Sequence, residues 1–224
     1  MLLIGMFDSP YVRRVAISMK RLGLPFEHGN WSVGADFERI RQYSPLARVP
    51  VLVMDDSVVL VESSAILDAV DDLVGPARGL LPPAGASRRE ALRLISLAIG
   101  AGEKARDVVH ERMVRPPEKY HEPWVARCRA QMHGALGELE KSCEQRTTGQ
   151  WLVDDRLTQA DITVACICTM LSESLEALGS GDHARPALRA FVNRCEALPE
   201  FQATHSKWFA ADIERLPAAA PRSQ

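Results

Sequence analysis

The chain reads as α/β plus all-α: a small mixed unit followed by an all-helical one. Three observations predict this. Over residues 1–74, short apolar runs alternate with amphipathic stretches in the order β-α-β-α-β-β-α. A segment rich in Gly, Pro and Ala then runs from Val74 to Ala86 and reads as a linker. Beyond it only helical periodicity recurs, broken at prolines. The expected division is residues 1–74, a linker at 75–86, a helical domain at 87–215 and a flexible tail at 216–224.

Leu2 to Met6 reads as a short buried strand. Ser9-Pro10 opens a helix, with Ser at the cap and Pro at the first helical position. Val12, Val15, Met19 and Leu22 repeat at helical spacing and Gly23 closes the turn. Pro25 to His28 reads as a second strand, and a weak helix follows over Asp36 to Tyr43. Val51 to Met54 and Ser57 to Leu60 flank Asp55-Asp56 as a hairpin. Glu62-Ser63-Ser64 leads into a helix carrying Ile66, Leu67 and Val70. The first β-α-β is a right-handed parallel unit if both strands share a sheet.

In the helical part, Ser87-Arg88-Arg89-Glu90 has the capping-box form and opens a long helix to Val114, which Pro116-Pro117 ends. A second long helix spans Glu122 to Arg146. Thr158 to Asp161 is a near capping box before a third, very apolar helix, in which Ile162, Ala165, Thr169 and Leu175 are expected in the core. Pro186 and Pro199 sit near the starts of two more.

Composition excludes several classes. With 27 Lys and Arg against 29 Asp and Glu, no basic surplus points to nucleic acid or a membrane surface. The richest apolar stretch, Ile162 to Leu171, is about half the length a membrane span needs. The N-terminus lacks a signal-peptide pattern. Five cysteines, an odd number with no C-x-x-C, argue for reduced thiols in a cytoplasmic protein. The histidines have no metal-ligand spacing, so no metal is expected.

Four signatures in order carry a resemblance: the Ser9-Pro10-Tyr11-Val12-Arg13 turn, Ser44-Pro45-Leu46-Ala47-Arg48-Val49-Pro50, Glu62-Ser63 at a helix start, and the Thr158–Asp161 box. Together they span almost the whole chain, which resembles the glutathione transferase superfamily, serine-type and cytosolic. Ser44 stands where the family usually has Asn. The resemblance implies a thioredoxin-like N-terminal domain, glutathione as co-substrate, a small electrophilic or apolar second substrate and a homodimer. It implies transfer of the glutathione thiolate to that electrophile. An isomerase, dehalogenase or peroxidase on the same scaffold, or a non-catalytic binding protein, is the alternative.

Each candidate residue carries two readings. Ser9 is a helix cap or, by resemblance, the hydroxyl that donates to the glutathione thiolate at the positive end of its helix. Tyr11 is, by resemblance, the rival hydroxyl for the thiol, since some family members use a tyrosine; placed inside the first helical turn, it reads instead as a wall of the acceptor pocket or a packed aromatic. Val49-Pro50 is an ordinary strand entry or, by resemblance, a cis pair whose Val49 backbone meets the cysteinyl part of glutathione. Arg48 is solvent-exposed or reaches the glycyl carboxylate. Glu62 and Ser63 are a surface acid and a cap, or they take the γ-glutamyl ammonium and carboxylate. Arg106, His110 and Met113 share a helix face and are acceptor-pocket candidates. Trp208 and Phe209 close that pocket or simply pack, and Arg13 and Arg14 are expected in charge pairs, some across the domain boundary.

Overall fold

The computed structural model describes residues 1–146, 151–177 and 185–208, the side chains of 175–177 excepted. The expectations for the tail from 216, for Phe209 and for the Leu175 side chain fall outside these residues.

A four-stranded sheet has the order β2-β1-β3-β4. β1 (Leu2–Ile4) and β2 (Glu27–Gly29) are parallel, with Leu2 opposite Glu27 and Ile4 opposite Gly29. β1 stops short of the expected Met6 because Gly5 turns off the strand at φ +128°. β2 begins later than the expected Pro25, which has no N–H to give to a ladder. Between them lies α1 (Pro10–Leu22), with Pro at its start. Gly23 closes it at φ 71°, where the Gly23 N–H meets the Lys20 carbonyl at 3.1 Å and the Leu24 N–H meets Met19 at 2.9 Å.

α2 is short (Phe37–Arg41), inside the expected 36–43. β3 (Val51–Val53) is antiparallel to both β1 and β4 (Val59–Val61). β4 starts two residues after the expected Ser57. Ser57 sits at φ 70° in the turn, and the Val58 N–H is held by Asp56 Oδ1 at 3.0 Å. α3 spans Ser63–Val74.

The helical part comprises α4 (Gly85–Met113), α5 (Glu122–Glu144), α6 (Gln159–Ala177), α7 (Pro186–Glu196) and α8 (Pro199–Gln202). The expected capping box at Ser87 does not form. α4 starts two residues earlier, Ser87 Oγ donates to Asp154 Oδ1 at 2.7 Å, and Glu90 pairs with Arg93. α4 ends at Met113, and a 3₁₀ turn follows at Pro117–Lys119. α5 ends two residues before the expected Arg146, whose guanidinium turns back to the Leu152 carbonyl. α7 has no side-chain cap of its own; Glu140 of α5 accepts from Ala187 and Leu188 N–H instead, at 3.0 and 2.7 Å.

One apolar core runs through both parts, joining Leu3, Val15 and Ile66 to Leu94, Ala98 and Ile167. α1 is the element they share, and polar bonds fix it there. Arg13 pairs bidentately with Glu196 at 2.7 and 2.6 Å and also reaches the Phe201 carbonyl at 2.9 Å. Gln159 Nε2 donates to Ser18 Oγ at 3.0 Å. Arg156 reaches the Gly79 carbonyl at 2.9 Å. Arg13 thus makes the expected charge pair across the boundary. Arg14 does not: its guanidinium meets only hydroxyls.

Candidate functional site

The candidate site gathers around the first half of α1. Gly5 packs so closely on Val12 and Val49 that the strand end, the helix and the Val49-Pro50 segment lie in mutual contact. The Val49–Pro50 bond is cis. Pro50 is buried and Val49 half-buried, packed both on the main core and on a smaller cluster of Ile4, Ile40 and Val51, while Arg48 is exposed.

Ser9 occupies the N-cap position of α1 with φ −73° and ψ 117°, and its carbonyl accepts from the Arg13 N–H at 2.9 Å. Its side chain makes no capping hydrogen bond. A serine with cap geometry whose hydroxyl is not engaged with its helix presents that hydroxyl beside the free N–H groups of the first turn.

Two residues with no role assigned from sequence, Phe7 and His28, stack beside the turn that follows β1. The His28 ring stacks on Phe7, with centroids 3.8 Å apart and planes 2° from parallel. Its Nε2 lies 2.8 Å from the Gly5 carbonyl. A carbonyl only accepts, so Nε2 carries the proton. No local pattern announces this pair, since it depends on which strand lies beside β1.

At the start of α3 the cap is Glu62, not Ser63. Glu62 adopts φ 72° and its Oε2 accepts from Ser64 N–H at 3.0 Å and Ala65 N–H at 3.4 Å. Ser63 is the first helical residue and is buried. Its hydroxyl lies 3.2 Å from Glu62 Oε1 and 2.9 Å from Arg14 Nη2.

Tyr11 lies within α1 and turns its ring toward α4. Its hydroxyl would stand 3.2 Å from a Cβ placed on Gly102, and among the described residues it has no hydrogen-bond partner. Burial raises its pKa, with Glu103 pushing the same way and Arg106, Arg14 and Arg48 opposing. Arg106 lies one turn beyond Gly102 on α4, with Asp107 3.8 Å from its guanidinium. His110, one turn further, is exposed and lines a groove of about 370 Å³ between α4 and α5 with Asp107, Glu111, Val114 and Trp124. Partial burial of the ring lowers the His110 pKa and the Arg106 charge adds to that, with Asp107 opposing. Met113 ends α4. Trp208 is held by its backbone N–H on Glu173 Oε2 at 2.6 Å.

No protein thiolate is available here. All five cysteines are free and lie at or beyond residue 128. Burial pushes the thiols of Cys143, Cys166 and Cys168 up to about 12, and those of Cys128 and Cys195 upward too. Iodoacetamide at pH 8 is expected to leave the native protein unmodified over the time in which it labels all five sites in denaturant, as mass spectrometry of the intact chain would read. In the folded state Cys143, Cys166 and Cys168 keep their protons up to about pH 12, whereas unfolded thiols lose them near 8.5. Unfolding then releases protons, and stability falls as pH rises between those values. Prompt labelling of Cys166 in the native state would contradict this.

Comparison with known proteins places this architecture. The family model for the glutathione S-transferase N-terminal domain matches residues 3–78, and that for the C-terminal domain matches residues 106–199. The chain belongs to the glutathione S-transferase superfamily. A glutathione S-transferase of Methylobacterium radiotolerans, solved with glutathione sulfonate, is 30% identical, with a TM-score of 0.80 over 91% of this chain and 93% of that one. A family member from Pseudomonas fluorescens Pf-5, solved with glutathione, is 28% identical, with a TM-score of 0.78 over 91% and 98%. The GST-like protein YibF of Escherichia coli K12, itself uncharacterised, is 28% identical over 166 residues, 74% of this chain and 79% of YibF. No helix among the described residues is long and apolar enough to cross a membrane.

Proposed function

We propose that this chain is a glutathione transferase that holds glutathione against the amino end of α1 and transfers its thiolate to a small apolar electrophile. The observation that carries this is Ser9: cap dihedrals, with a hydroxyl not spent on its own helix. A sulfur placed there meets an O–H donor and the partial positive charge of the helix start, and both favour the thiolate. The thiol proton leaves to solvent. The sulfur then forms a bond to the electrophilic carbon, and a leaving group such as chloride departs with its electron pair. The relatives solved with glutathione or its sulfonate support the choice of ligand.

In this reading the Val49 backbone pairs with the cysteinyl unit and Arg48 meets the glycyl carboxylate. Glu62 takes the γ-glutamyl ammonium, and Ser63 takes its carboxylate at the start of α3. The electrophile enters beside Tyr11 and Arg106, with His110 and Met113 further along α4. A homodimer fits the apolar side chains left exposed on β4 and α3, Val59 at 39% and Leu73 at 53%.

The test is a titration of bound glutathione read by its ultraviolet thiolate absorbance, on wild type and Ser9→Ala. In wild type the bound thiol is expected to ionise well below its free value of about 8.5. In Ser9→Ala it returns toward that value, and conjugation of a chloronitrobenzene slows by about 10²-fold, the scale of one lost donor to a developing anion. An unchanged rate and an unchanged thiol titration would remove Ser9 from the role.

A further inference from the structure

Arg14 is 1% exposed. Its guanidinium donates to Thr163 Oγ1 at 3.0 Å, Ser63 Oγ at 2.9 Å and Ser64 Oγ at 2.8 Å. Among the described residues its Nε has no partner. The neighbouring Arg13 shows the usual solution for a buried cation, a bidentate carboxylate. Arg14 has none, and burial lowers its pKa, with the charge of Glu62 first among the influences opposing this. A buried cation without a counter-ion is costly, and an apolar side chain of similar volume would serve the fold as well or better. Stability alone therefore gives no account of it.

Its partners do. Ser63 and Ser64 are the first two residues of α3. A guanidinium can only donate, so both serine oxygens accept from Arg14 and both O–H hydrogens are directed elsewhere. In this state Ser63 Oγ lies 3.2 Å from Glu62 Oε1, so that its hydrogen points at the acid capping the helix. Arg14 thus leaves each serine only its hydrogen to offer, that of buried Ser63 to Glu62 and that of exposed Ser64 to solvent or a ligand. It also adds a full positive charge behind a helix start that is already partly positive.

We infer that Arg14 is a positioning residue for the α-carboxylate of the γ-glutamyl end of glutathione, acting through Ser63 and Ser64 without touching the ligand. This rests on the glutathione reading above and adds to it a buried cation beneath that subsite. An anionic group at the start of α3 would add a negative charge to that of Glu62, which reaches Arg14 only through the Ser63 hydroxyl. The cost of burying Arg14 is then recovered in selectivity for that carboxylate.

The test uses two ligands, glutathione and 4-aminobutanoyl-cysteinylglycine, which keeps the ammonium and the thiol but lacks that carboxylate. Calorimetry on wild type, Arg14→Met and Arg14→Lys gives the preference of each for glutathione. Arg14→Met is expected to cut the wild-type preference by about tenfold or more, the scale of one partly screened charge interaction. Affinity for the analogue stays within about twofold, since no charge pair is removed there. The melting temperature does not fall, and Arg14→Lys recovers part of the preference. Equal weakening of both ligands, or failure of Arg14→Met to fold, would mark Arg14 as a strut and overturn the inference. If wild type binds neither ligand at millimolar concentration, the glutathione reading itself fails. Binding of both with a preference unaltered in Arg14→Met sinks the Arg14 role alone.

Discussion

Gly5→Ala is expected to be among the most damaging single substitutions in the N-terminal part, costing about 2–5 kcal/mol. Two independent effects add. At φ +128° an alanine is strained, at about 1–2 kcal/mol. The new Cβ would also stand 2.5 Å from Val12 Cγ2 and 2.8 Å from Val49 Cβ. The first neighbour is a stiff β-branched side chain on a fully buried stretch of α1, and the second is bonded directly to the backbone. Neither can rotate away, so the segments must part, and overpacking of this kind costs about 1–3 kcal/mol. Movement at Gly5 also disturbs its 2.9 Å bond to the Gly29 carbonyl and the 2.8 Å contact with His28. For a chain of this size the melting temperature should fall by roughly 10 °C. Gly23→Ala is the control: φ is again positive, at 71°, but nothing lies within 4 Å of its Cβ position. It should cost only the backbone strain, about 1 kcal/mol. Equal losses in the two variants, measured by urea and thermal unfolding, would show that the close approach at Gly5 is unimportant.

Gly5 also marks the limit of what the sequence discloses. Its type is legible; its need is not, because Val12 and Val49 are 7 and 44 positions away, and only the fold brings them to one point. The elements themselves were legible wherever the signal is local. Pro10 and Gly23 bound α1, and Pro186 and Pro199 open α7 and α8, since these residues act through their own dihedrals. Partners were not legible. Arg13 and Arg14 are adjacent basic residues of one helix, yet one meets a carboxylate on α7 and the other three hydroxyls on α3 and α6. The cap of α7 comes from Glu140, 47 residues before Ala187. At the candidate site, Ser9, Glu62 and Ser63 stood out because they sit at helix starts, where local chemistry is readable. His28 and Arg14 did not, because their partners were unknown until strand order and helix packing were fixed.

Two segments with the same capping signature should respond oppositely to mutation. At Thr158–Asp161 the acid is fully buried and serves three donors. Oδ1 accepts the Leu152 N–H at 2.7 Å, and Oδ2 accepts both the N–H and the hydroxyl of Thr158 at 2.7 Å each. Asp161→Ala strands three buried donors, each at about 1–3 kcal/mol before water or rearrangement relieves part of it. A loss of about 3–5 kcal/mol is expected, and the segment entering α6 should lose hydrogen-exchange protection together with the helix. Thr158→Val removes only the hydroxyl and should cost about 1 kcal/mol. At Ser87–Glu90 the pattern is equally good on paper, yet the helix starts earlier. Ser87 donates to Asp154, and Glu90 pairs with a half-exposed Arg93. Surface contacts of this kind contribute little, so Ser87→Ala should change stability by less than about 0.5 kcal/mol. What separates the two is burial. A cap that water can replace is dispensable, while one that joins a loop to a helix inside the core has no substitute. If Ser87→Ala and Asp161→Ala fell within about 1 kcal/mol of each other in urea unfolding, burial would not be the deciding variable.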